Sequence, residues 1–142
     1  MKRIITLSLL AVLCFVSCAN ARNGVDSPRR QKAVGEFIRN MYENRLYDRD
    51  DFLLEHCSAE LLQKLQDAYP YDTDKVQYAN WLFRSGQQDI KSQEYRLTGV
   101  DYDGGWYTYS AVDYGWKFVN RVKVSFNGRK IIFTDLERVS WE

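Results

Sequence analysis

Histidine occurs once in these 142 residues and cysteine only three times. One histidine, His56, excludes a multi-histidine metal site, and no metal or cofactor is expected. His56 and Cys57 are adjacent, so on a helix they point about 100° apart and cannot form a thiol–imidazole dyad. Charge of one sign is also missing: 20 lysines and arginines face 19 aspartates and glutamates. So even a balance leaves no electrostatic footprint for nucleic acid. No apolar run approaches the roughly 20 residues a bilayer span needs. There is no phosphate-cradling glycine loop and no G-x-S-x-G element. Asp72-Thr73-Asp74 starts like a calcium loop but lacks its glycine and closing glutamate.

What is present begins with an export signal. Lys2 and Arg3 precede an apolar run from Ile4 to Val16, interrupted only by Thr6 and Ser8. Small residues follow, so residues 1–21 are expected to be a signal sequence. Two endings compete. Ala19-Asn20-Ala21 is an A-x-A cleavage site, which releases a soluble periplasmic protein. Phe15-Val16-Ser17-Cys18 resembles a lipobox, with Phe where Leu is usual. It would make Cys18 an acylated N-terminus, and several chains on one residue anchor a protein stably. The expected location is the bacterial cell envelope, as an outer-membrane lipoprotein or free in the periplasm. Either ending discards Cys14, Lys2 and Arg3. Cys57 is then the one free thiol, no internal disulfide forms, and the core alone must hold the domain.

Residues 22–27 read as a tether and 28–142 as a single domain. Ser27-Pro28 supplies a helix cap and first helical residue. Val34, Phe37, Ile38, Met41 and Tyr42 then mark one apolar face, predicting a helix to about Tyr47. Asp50-Asp51 caps a short helix through Phe52 to His56. Ser58 caps a third, with Leu61, Leu62 and Leu65 as its stripe and Pro70 as its stop. Val76 to Arg84 reads as a further helical segment ended by Ser85-Gly86. From Glu94 the period changes to two. Turns at Gly104-Gly105, Tyr114-Gly115 and Asn127-Gly128 divide four strands of an antiparallel meander. Helices followed by strands predict an α+β fold with the helices on one sheet face.

The stretches Leu53-Leu54-Glu55-His56-Cys57-Ser58, Trp81-Leu82-Phe83-Arg84-Ser85-Gly86 and Gly105-Trp106-Tyr107-Thr108-Tyr109 resemble a family of small exported bacterial proteins of unassigned function. The resemblance covers nearly all of the chain after the signal. It implies a nuclear transport factor 2-like (cystatin-like) fold, in which helices and a curved meander enclose a pocket. It transfers no catalytic motif, and that fold hosts isomerases, dehydratases and pure binding modules.

The hairpins predict which residues share a face. A turn at Asn127-Gly128 pairs Phe126 with Arg129, Val124 with Ile131, Val122 with Phe133 and Asn120 with Asp135. A turn at Tyr114-Gly115 pairs Asp113 with Trp116, Ala111 with Phe118, Tyr109 with Asn120 and Tyr107 with Val122. Tyr109, Asn120 and Asp135 then form a polar row inside an apolar face, with Phe118 and Trp116 completing an expected pocket. Buried polar groups must be satisfied, so such a row is a hydrogen-bond network or a ligand site. Desolvation would raise the pKa of an acid there, making Asp135 the candidate general base of an isomerase- or dehydratase-like enzyme. The favoured expectation is a non-catalytic envelope module for a small, partly apolar ligand or an envelope protein. A dimer through the open sheet face is the third reading.

Overall fold

A computed structural model describes residues 27–68 and 80–142 of the chain. The signal sequence, both of its endings, Cys18 and residues 22–26 lie outside the described residues. Among the described residues three α-helices precede a four-stranded antiparallel sheet of order β1-β2-β3-β4. The helices are α1 (Pro28–Glu43), α2 (Asp50–His56) and α3 (Ala59–Asp67). The strands are β1 (Tyr95–Asp103), β2 (Trp106–Asp113), β3 (Trp116–Asn127) and β4 (Lys130–Trp141). This is the α+β arrangement that the sequence predicts.

α1 starts where expected, with Ser27 Oγ accepting from the Arg30 amide at 3.3 Å. It stops earlier than Tyr47. Asn44 caps it, and Arg45 takes a left-handed conformation with φ 53°, turning the chain into a single 3-10 turn at Leu46–Asp48. That reversal lets Tyr47 bury its ring instead of continuing around the helix. Residues 69–79 lie outside the described residues. The described end of the expected Val76–Arg84 helix is a 3-10 turn over residues 80–82, and Phe83 to Gly86 form no helix.

One face of the sheet packs against the helices. Val34, Ile38, Met41, Tyr42, Leu53, Leu61 and Leu65 meet Tyr107, Tyr109, Phe118, Val122, Phe133 and Leu136, all buried. Phe37 bridges the layers, with its ring 5.8 Å from Phe52, 4.9 Å from His56 and 5.6 Å from Phe133. Each fully buried large side chain contributes about 1.5–3 kcal/mol, so this interface holds the described residues together, whose single cysteine, Cys57, is a free thiol.

The β2–β3 register agrees with expectation at every predicted pair: Asp113 with Trp116, Ala111 with Phe118, Tyr109 with Asn120, and Tyr107 with Val122. Tyr114 (φ 50°) and Gly115 (φ 89°) both sit at positive φ, as a type I′ turn requires. Tyr114 holds that conformation because its ring packs on Tyr95 and its hydroxyl accepts a bond from Arg45.

The β3–β4 register differs from expectation in two steps. Asn127 pairs with Lys130, so the turn residues are Gly128 and Arg129, and only Gly128 has positive φ. Glycine at the first turn position is the type II′ arrangement. This moves the register by two residues and leaves the faces unchanged: Phe126 opposes Ile131 and Val124 opposes Phe133. A bulge at Thr134 then adds one residue to β4, and one residue exchanges the faces. Asp135 therefore opposes Lys123 on the outer face, Leu136 opposes Val122, and Arg138 takes the place opposite Asn120.

Candidate functional site

The inner polar row is thus Tyr109, Asn120 and Arg138, not Tyr109, Asn120 and Asp135. Tyr109 and Asn120 are fully buried. Asn120 Nδ2 donates to the Tyr109 hydroxyl at 2.8 Å and to the Leu82 carbonyl at 2.6 Å. Tyr109 donates onward to the Phe83 carbonyl at 2.8 Å. The Arg138 guanidinium donates to the Ser85 carbonyl at 3.2 Å, the Leu82 carbonyl at 3.1 Å and the Arg84 carbonyl. Burial raises the pKa of Tyr109 and lowers that of Arg138. Asn120 Oδ1 and Arg138 Nε, on paired residues, are buried and have no hydrogen-bond partner among the described residues.

Every one of those donors, the internal Asn120–Tyr109 bond apart, aims at the main chain of residues 82–85. Asp113, one per cent exposed, completes the attachment. It accepts from Arg84 Nε at 3.0 Å and Nη2 at 3.2 Å, from the Ser85 amide at 3.0 Å and from Ser85 Oγ at 2.5 Å. Segment 82–85 has no ladder of its own, and buried carbonyls need partners. The row supplies them. Phe83 is fully buried, with its ring 5.5 Å from Phe133.

Asp135 is held at the surface by Lys64 Nζ at 2.6 Å and accepts from the Leu136 amide at 2.9 Å. Its carboxylate is not in the inner row, and the expectation of a buried base is corrected by the Thr134 bulge. Phe118 is buried on the inner face beneath Arg138, whose guanidinium lies 4.8 Å from its ring centroid. Trp116 is half-buried at the end of the sheet. Its indole donates to the Asp89 carbonyl at 2.7 Å, Lys91 lies 3.4 Å from its ring, and Trp141 stands 6.5 Å away.

A groove of about 260 Å³ opens on the opposite, outer face of the sheet. It is built from two adjacent cross-strand rows. Arg96 opposes Val112, Val112 opposes Lys117, and Lys117 exchanges both backbone bonds with Glu142. In the neighbouring row Ser110 opposes Val119 and Val119 opposes Ser140, with Thr98 bulged out of β1 beside them. Val112, three per cent exposed, and half-buried Val119 supply an apolar floor. Hydroxyls of Thr98, Ser110 and Ser140 stand on one side, and the charges of Arg96, Lys117 and Glu142 on the other. None of these residues stands out as a site in the sequence. The alternation in β2 and β3 carries the signal: Ser110-x-Val112 and Lys117-x-Val119 set valines among the polar groups of the outer face.

No family model, curated protein or solved structure matches the chain.

Proposed function

We propose that this chain is an exported, non-catalytic binding module of the bacterial cell envelope. It has a nuclear transport factor 2-like (cystatin-like) fold and takes a small, partly apolar ligand on its outer sheet face. The observation that carries the reading is the groove, in which two valines form a floor between hydroxyls and charges. That combination of apolar contact and a few placed polar groups is what small-molecule sites use. The inner face supports the same reading from the other side. Tyr109, Asn120 and Arg138 are engaged with residues 82–85, and Asp135 is engaged with Lys64. The export signal, ending at Cys18 or Ala21, supports the location.

The test is an amide NMR titration of the purified, processed protein with a library of small amphiphiles. Shifts centred on Ser110, Val112, Lys117 and Val119 support the proposal. Shifts confined to Tyr109, Asn120 and residues 82–85 would move the site to the inner face and refute the groove. A second reading, docking of an envelope protein, is favoured by the exposed side chains of Val139 and Trp141 beside Ser140.

A further inference from the structure

We infer that the ligand of the outer groove is a short, single-chain anionic amphiphile, with its acid head between Arg96 and Lys117 and its tail over Val112 and Val119. The inference rests on the groove being the binding site and adds the chemistry of its occupant.

Size comes first. A volume of about 260 Å³ holds roughly nine groups of water or methylene size, at about 30 Å³ each. That admits a head group and about six to eight carbons, and excludes a two-chain lipid from lying wholly within it.

Charge decides the class. Arg96 and Lys117 flank Val112 from the two neighbouring strands. Strands lie about 4.8 Å apart, so the two Cα atoms are about 10 Å apart, and both long side chains can converge on one head group above the valine. Arg96 spends its Nε on Glu94 at 2.7 Å, which among the described residues leaves the terminal nitrogens of the fork for a ligand. Lys117 is exposed and sits over the apolar floor. Glu94, beside the groove, is engaged by Arg96, and the lining acid Glu142 stands on the far side of Lys117. Glu142 repels an anion, so the head must sit on the β1–β2 side. The tail then runs diagonally from Val112 to Val119, and the hydroxyls of Ser110 and Ser140 border it. A cationic or neutral ligand would leave Arg96 and Lys117 unused.

The experiment compares octanoate, octyl phosphate, octanol and octylammonium, each titrated below its micellar concentration into the processed protein and followed by amide NMR. Octanoate and octyl phosphate are expected to bind with shifts at Val112, Lys117 and Val119. Octanol should bind about tenfold more weakly and octylammonium more weakly still. Whichever of the two acids binds more tightly identifies the head group, and either supports the inference. Arg96→Gln and Lys117→Gln should each weaken octanoate about tenfold and leave octanol unchanged. Both positions are exposed, so folding survives the substitutions. Octanol binding as tightly as octanoate would overturn the anionic class while keeping the groove. No shift in the groove with any of the four would overturn both, and saturation by a second copy of the chain would show instead as a concentration-dependent dimer.

Discussion

Asn120 donates its amide to the hydroxyl of Tyr109 across the β2–β3 pair at 2.8 Å, and each of them also donates to a carbonyl of the segment between helices and sheet. The pair is a joint between two parts of the chain that share no ladder. Removing either member strands buried partners. Tyr109→Phe leaves the Phe83 carbonyl and one Asn120 N–H without their bonds and should destabilise by about 1–3 kcal/mol. Asn120→Leu should lose a similar amount. The double variant should lose less than the sum, because the shared bond is counted once. Urea denaturation midpoints of the four proteins measure this, and strict additivity would mean that the two side chains act independently.

Asp113 makes a sharper case. Its carboxylate carries four bonds from Arg84 and Ser85 while almost wholly out of water. Asp113→Ala leaves the Arg84 charge without its partner and the Ser85 amide unbonded, with an expected loss of about 3 kcal/mol. Protease cleavage at residues 80–92 should rise before global unfolding does, as read by mass mapping of the fragments. Cleavage that tracks only global unfolding would show that Asp113 does not hold the segment locally.

Two glycines give a matched pair. Gly115, at φ 89°, would place an added Cβ 2.8 Å from Lys91 Cβ and from Ser92 Oγ, and 3.0 Å from the Ser92 amide nitrogen. Gly104, at φ 56°, would meet nothing within 4 Å. Gly104→Ala carries only the positive-φ penalty of about 1 kcal/mol. Gly115→Ala adds a clash with backbone that is itself bonded to Tyr114, and should cost about 2 kcal/mol more. Equal melting temperatures for the two variants would show that the 91–92 segment yields freely.

Cys57 should be unreactive while the protein is folded. Burial is what pushes its thiol up to about 12 from 9.0, and the thiolate is the reacting form. Alkylation at pH 8, mapped to the peptide holding Cys57, should be at least a hundredfold slower in buffer than in denaturant. The same shift has a sign for stability. The folded thiol keeps its proton where the unfolded one loses it, so this contribution is whole below pH 9 and declines as pH rises towards 12. Tyr95, raised by burial from 10.0 to about 12, behaves likewise from pH 10 upward. Cys57→Ala should therefore lose less stability between pH 9 and 10 than the parent.

Export carries its own test. Cys18→Ala should abolish incorporation of a radiolabelled fatty acid and leave export intact through cleavage after Ala21. A parent protein whose N-terminus is a free Arg22 would remove the lipid anchor from the proposal.

Much of this fold was legible because local chemistry and tertiary need agree. Ser27 and Ser58 cap helices where expected, Asp50-Asp51 form the acidic first turn of α2 although Arg49 is its cap and gives no side-chain bond, and the Tyr114-Gly115 turn gives its whole register. The polar row was only two-thirds legible. Glycine at 128 signals a hairpin without saying whether Asn127 or Arg129 shares the turn with it. Thr134 signals no bulge at all, since the extra residue is an exposed threonine with none of the glycine that often marks one. One unannounced residue moved Asp135 outward and brought in Arg138. The outer groove was illegible for a different reason: a lone valine on a polar face becomes a floor only when its cross-strand neighbours are known.

The start of α1 is fixed in space by Arg30, whose guanidinium lies 4.7 Å from the ring centroid of Phe126 at the hairpin end of β3. Lys117 lies at the other end of that strand, about 30 Å away at 3.3 Å per residue. The domain therefore has two poles, and the chain that leads into it arrives at one while the groove opens towards the other. If Cys18 holds the protein to a bilayer, the attachment enters the domain at the pole opposite Lys117.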